Sequence, residues 1–119
     1  MKREEWIERI TDSCRQAGTY RACFDDVIST LADILACRDK AQQLFLDSGE
    51  KVLLKHTNKA GATNVEQNPC LRMINDLNRD ALAYWRDLGL TPAGLKRIDE
   101  HALSQRKKSA LAEALKAIG

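Results

Sequence analysis

From Tyr20 to Asp47, apolar side chains at Phe24, Val27, Leu31, Ile34, Ala41 and Phe45 follow alternating steps of three and four, with one step skipped at Arg38. An α-helix brings residues three and four apart onto one face, so this spacing predicts one long helix with a heptad-like seam. Thr19, after Gly18, stands where an N-cap is wanted, and Ser48-Gly49 ends the run. Cys23, Ile28 and Leu35 widen the seam into a stripe broader than a two-stranded coiled coil uses, which suits a helix packed on more than one neighbour. Two coverings stay open for it. The stripe packs in the chain's own core, or part of it, through Phe24, Val27, Leu31, Ile34 and Phe45, packs on another subunit.

Shorter elements flank this helix. Residues Lys2 to about Gln16 predict an amphipathic helix with Trp6, Ile7, Ile10 and Cys14 on one face. Beyond Gly49 the helical period is lost, and Lys51 to His56 reads as a short strand. Thr57 to Glu66 supplies turn residues and then a weaker extended run, which predicts a β-hairpin turning near Asn58 to Gly61. Two strands alone are marginal in water, so the hairpin is expected to dock on the helices or to pair across subunits. Asn68-Pro69 combines an N-cap with a proline at the first helical position, and Leu71, Ile74, Leu77, Ala81, Trp85 and Leu88 then recur at helical spacing up to Gly89. Thr91-Pro92 repeats the start signal for a last helix, with Leu95, Ile98 and Ala102 inward and Lys96 and Arg97 outward. Arg106-Lys107-Lys108 interrupts or decorates that helix, and Ala110, Leu111, Ala114, Leu115 and Ile118 form a final amphipathic stretch. The expected fold is mainly α: a long helical hairpin or bundle, with a small β-hairpin between the second and third helices, in an oligomer.

With 119 residues, 44% of them apolar, the chain can build one core but not a large multidomain enzyme. The net charge of +2 is too small for the whole surface to grip anions. Its distribution is uneven: residues 1–50 carry −3, residues 51–90 carry +2 and residues 91–119 carry +3. No apolar run approaches the roughly 20 residues of a membrane-spanning helix, so no membrane partner is expected. The charged start, Met1 to Trp6, is unlike a secretory signal and predicts a reducing cytoplasm. Cys14, Cys23, Cys37 and Cys70 form no Cys-x-x-Cys pair and neither His56 nor His101 adjoins a cysteine, so the thiols read as small packing residues rather than metal ligands. No nucleophile motif or HExxH is present and the six glycines are too scattered to cradle a phosphate, so neither a cofactor nor catalysis is expected. Asp76 and Asp80 alternate with Arg72 and Arg79, a pattern that favours ion pairing over metal binding.

Binding is the chemistry that remains. Lys51, Lys55, His56, Asn58 and Lys59 cluster around the predicted hairpin and suit contacts to phosphates and base edges, with a helix N-terminus following at Asn68. A lysine-bearing hairpin is equally a guard against edge-to-edge aggregation. A second basic set, Lys96, Arg97, Arg106, Lys107 and Lys108, lies on the last helix, where a solvated face explains it as well. Tyr84 and Trp85 sit mid-helix beside apolar positions and read as core packing rather than base stacking.

Thr57 to Asn64, then Asn68-Pro69, then Leu77 to Arg86, closed by Leu88-Gly89-Leu90-Thr91-Pro92-Ala93-Gly94-Leu95-Lys96, resembles a family of phage terminase small subunits. The likeness spans roughly residues 20 to 98 and lies in order and spacing, most tellingly in the LGLTP that closes the helix begun at Asn68-Pro69. The resemblance implies a non-catalytic homo-oligomer in the cytoplasm of a host bacterium. It would recognise the packaging site on double-stranded phage DNA and deliver it to the terminase large subunit, which holds the ATPase and nuclease. It also implies an intermolecular role for the seam, and makes the C-terminal Leu111, Leu115 and Ile118 a docking site for the large subunit, although the same stripe could cap the chain's own core. Residues 1–98 would then form the oligomerisation and DNA-recognition domain, and 99–119 a helical tail. The competing reading is a helical adaptor that binds only protein partners, with the hairpin as a structural clip.

Overall fold

The computed structural model describes residues 1–118. Its elements are α1 (Arg3–Ala17), a 3-10 turn (Ala22–Phe24), α2 (Asp25–Asp47), β1 (Leu53–Thr57), β2 (Thr63–Gln67), α3 (Pro69–Asp87) and α4 (Pro92–Ile118). The protein is mainly α, with the β-hairpin between the second and third helices, as the sequence predicts. Helices α1 and α3 both pack on α2. Trp6, Ile10 and Cys14 from α1 meet Ile28, Leu31, Ala32 and Leu35 from α2 and Ala81 and Leu88 at the α3 side, forming one apolar core.

Helix α2 begins at Asp25, later than the expected Tyr20, and Thr19 is not its cap. Gly18, at φ 74°, turns the chain out of α1, and the Thr19 N–H closes that turn on the Cys14 carbonyl at 2.9 Å. The Thr19 hydroxyl donates instead to the Leu88 carbonyl at 2.7 Å, fastening the α1–α2 connection to the end of α3. A tertiary partner has thus displaced the local capping role. The other end signals act as expected. Asn68 Oδ1 accepts from the Cys70 N–H at 3.1 Å with Pro69 next to it, and Thr91 Oγ1 accepts from the Gly94 N–H at 3.0 Å. Gly94 also permits close approach: a Cβ there would lie 2.2 Å from the Arg86 carbonyl oxygen, so only glycine lets α4 leave α3 at this angle.

The skipped seam position at Arg38 has a structural reason. Its guanidinium lies 5.5 Å from the centre of the Trp6 ring, donates to Asp39 at 3.1 Å, and reaches Asn78 of α3 at 3.3 Å. A long cation with an apolar stem joins the three helices where an aliphatic residue was expected.

Several packing expectations are corrected. Of the four thiols, only Cys14 is buried; Cys23 and Cys37 are exposed and Cys70 is intermediate. Cys23 falls in the 3-10 turn and Cys37 on the outer side of α2, so neither widens the buried stripe. Ala102, expected inward, is exposed, because α4 parts from the body after its first turns. The hairpin does not dock on the helices: all of Leu53–Gln67 is exposed except the half-buried Leu54. The basic run Arg106-Lys107-Lys108 decorates α4 without interrupting it. With hairpin and α4 both projecting, the chain extends over 86 × 26 × 20 Å, and its radius of gyration is 22.4 Å. A compact globule of this length would have about 13–14 Å.

Candidate nucleic-acid interface

In the hairpin, Leu53 pairs with Gln67, Leu54 with Glu66, Lys55 with Val65, His56 with Asn64 and Thr57 with Thr63, antiparallel. Side chains alternate between faces along a strand, so the register sorts the candidates. Lys55 shares a face with Leu53, Thr57, Thr63, Val65 and Gln67, a face without acidic groups. His56 lies on the opposite face with Leu54, Asn64 and the acidic Glu66. Lys59 is at the turn. Asn58 has a structural task there: its Oδ1 accepts from the N–H groups of Ala60 (2.9 Å) and Ala62 (3.0 Å). Its amide NH2 is the part left for a ligand. Lys51 precedes β1 at the hairpin's base.

That base is closed by Asn68, which is only 2% exposed. Its Nδ2 donates to Ser48 Oγ at 3.2 Å and to the Lys51 carbonyl at 2.9 Å, and its backbone N–H donates to the Val52 carbonyl at 2.8 Å. The sequence identified Asn68 only as a helix cap; its second set of partners lies 16 to 20 residues upstream, beyond any local pattern.

Contacts of α2 with α3 run in opposite order along the two helices: Ser48 meets Asn68, Arg38 meets Asn78, and Thr19, ahead of α2, meets Leu88. The helices are therefore antiparallel. The hairpin leaves one end of the pair and α4 the other, separated by the 19-residue α3, about 28 Å of helix. The two basic sets are accordingly not one surface. Among the described residues, Lys51, Lys55, Lys59, Arg97, Arg106, Lys107 and Lys108 enter no ion pair, whereas Lys96 lies 4.0 Å from Glu100. On α4, the apolar positions Leu95, Ile98 and Ala102 are about half a turn around the helix from Leu111, Leu115 and Ile118. Of the first set only Leu95 is half-buried against the body, Ile98 and Ala102 being exposed; the second set is exposed at 62%, 61% and 83% and covers no part of the chain's own core.

The α2 seam divides similarly. Leu31 is completely buried in the chain's own core, while Phe24, Val27 and Ile34 lie half-buried at its margin and Phe45 half-buried near the helix end. Tyr84 and Trp85 are half-buried against the same core, as expected of packing residues. Asp76 forms a surface ion pair with Arg79 at 3.8 Å. No cluster of three or more metal-ligating side chains occurs among the described residues, and no described helix is long and apolar enough to cross a membrane.

A family model described as phage terminase, small subunit, matches residues 3–105. The chain belongs to that family. Membership assigns it a role in phage DNA packaging. Terminase small subunits are generally non-catalytic, and their partners in general are DNA and the large terminase subunit. Searches of curated proteins and of solved structures return no match.

Proposed function

We propose that this terminase small subunit binds double-stranded phage DNA through its β-hairpin, acts as a homo-oligomer, and delivers the DNA to the large subunit, regulating it, in the host cytoplasm. The observation that carries the reading is the hairpin itself: a two-stranded ribbon standing clear of the body, with Lys55 and Lys59 in no ion pair among the described residues. A major groove roughly 12 Å wide admits such a ribbon. The acid-free face of Lys55, Thr57 and Thr63 suits phosphates, and Asn64 and the free amide of Asn58 suit base edges. The basic residues of α4 supply a second, weaker electrostatic contact, and repetition of both around an oligomer multiplies modest single-site affinity. Phe24, Val27, Ile34 and Phe45 are the seam residues left for self-association, since Leu31 is enclosed. The free stripe Leu111, Leu115 and Ile118 is the docking surface for the large subunit, a helix face of the kind that lies in a partner's groove.

The test is Lys55→Glu combined with Lys59→Glu, read as duplex affinity over a salt series. Both side chains are exposed, so helix content should be unchanged while affinity drops. The slope of log affinity against log salt should flatten by about one for each phosphate that is no longer neutralised. Unchanged affinity and slope would remove the hairpin as the DNA-binding element, and a wild-type chain indifferent to duplex at every salt would favour a purely protein-binding adaptor.

A further inference from the structure

We propose that the side-chain amide of Asn68 sets the angle of the β-hairpin to the helical body and so positions the Lys55 face for DNA, an inference that rests on the hairpin being the DNA-contacting element. The hairpin lacks the usual means of fixing an orientation. Neither of its faces packs on a helix, and only Leu54 is half-buried. Its direction must therefore be determined where its two ends join the body.

Both ends meet at Asn68, the one buried polar residue among the described residues. Nδ2 holds the incoming chain at Lys51, and through Ser48 Oγ it reaches the last turn of α2, because that hydroxyl itself donates to the Phe45 carbonyl at 2.7 Å. Oδ1 simultaneously caps α3, the outgoing element. One planar amide thus joins α2, the hairpin and α3, and a plane with partners on both sides fixes rotation as well as distance. Between Ser48 and Lys51 the chain passes through Gly49 (φ 81°) and Glu50 (φ 58°). Left-handed backbone at the non-glycine Glu50 is uncommon and persists where surrounding bonds hold it, which agrees with a connection set by its anchors.

Capping alone does not require an asparagine. A serine or aspartate oxygen caps a helix comparably, so the amide nitrogen, with its two donated bonds, does something the cap does not need. A ribbon held in one orientation loses less conformational freedom on binding than one that swings about its base.

The experiment uses the full chain with Asn68→Asp, and Asn68→Ser as the second variant should the carboxylate prevent folding. Both retain an oxygen for the α3 cap and remove the two-donor amide. Spin labels are placed on the exposed Cys37 of α2 and on Ala60→Cys at the hairpin tip, with Cys23→Ser and Cys70→Ser, in chains diluted with unlabelled protein. The wild type should give a narrow distance distribution and both variants a broad one at unchanged helix content. Duplex affinity should fall about tenfold, with the salt slope unchanged because the same phosphates are neutralised and only the pre-organisation is removed. A distribution as narrow as the wild type's in both variants overturns the proposal, as does a broadened distribution with undiminished affinity. A wild-type chain that binds no duplex instead overturns the DNA reading and the positioning role with it, while the distance distribution still reports whether Asn68 holds the hairpin.

Discussion

Leu31, Arg38 and Asn68 each occupy a position that sequence periodicity or capping had marked, and each does something further that only distant partners reveal. For Leu31 the consequence is energetic. Its side chain is fully enclosed with Ile10, Cys14 and Leu35 in one cluster, so Leu31→Ala should lower the free energy of unfolding by about 2–5 kcal/mol, measured by urea titration. A loss of oligomer mass with stability intact would instead return Leu31 to an intermolecular seam. The caps at Asn68 and Thr91 were legible because capping chemistry is local, three residues or fewer from cap oxygen to bonded N–H. Arg38 registered only as a gap in a pattern, since Trp6 and Asn78, which explain it, lie 32 and 40 residues away. The basic residues of the hairpin are legible as a cluster; that Lys55 lies on a face without acidic groups, and His56 on the face that carries Glu66, is not, because the cross-strand neighbours depend on the register and slipping one residue would exchange them.

At the scale of elements, α1 is joined to α2 by a small polar centre that the sequence did not disclose. Trp6 Nε1 and the Met1 amino group donate to Asp39 Oδ2 at 2.7 and 2.9 Å, and Arg38 donates to the other carboxylate oxygen at 3.1 Å. Burial by itself would raise the Asp39 carboxyl; the bonds from the amino group, Trp6 and Arg38, with the Arg38 charge, outweigh it and hold the group below its ordinary value. A carboxyl lowered in the folded state contributes stability that is complete above its unfolded pKa of about 4 and is lost as pH falls through the folded value. The urea midpoint should therefore decline on acidification in that window, and Asp39→Asn should reduce the part of the decline due to this group. Element order and type were readable throughout, since the switch from period 3.6 to extended runs and the two Pro-started helices are strong signals. The sequence places the start of α2 too early, at Tyr20 rather than Asp25, because Thr19 looks like a cap until Leu88 is brought beside it. The covering of the hairpin stays open in the sequence, between the chain's own helices and a second subunit, because two strands usually need one and nothing in ten residues of strand says which supplies it; the structure removes the first alternative.

For the whole molecule, the projecting α4 is the least supported part. From Lys96 to Ile118 every residue is exposed, and a helix of that length without tertiary packing is marginal in water. Limited trypsin digestion should therefore cut first around Arg106, Lys107 and Lys108, leaving a protected body, and occupancy of the Leu111, Leu115 and Ile118 stripe by a partner should slow that cut. Early cleavage within α2 or α3 instead would contradict the division between body and projection. The two projections also leave opposite ends of the antiparallel α2–α3 pair, some 28 Å of packed helix apart. That pair is an insulator. Among the described residues, those at the hairpin and those at the α4 tip share no partner, so within one subunit free-energy changes made at the two ends should add to within about 0.5 kcal/mol. Lys55→Glu with Leu115→Asp, compared with each alone by chemical denaturation, measures this directly; additivity would mean that either end can acquire a new ligand with no compensating change at the other.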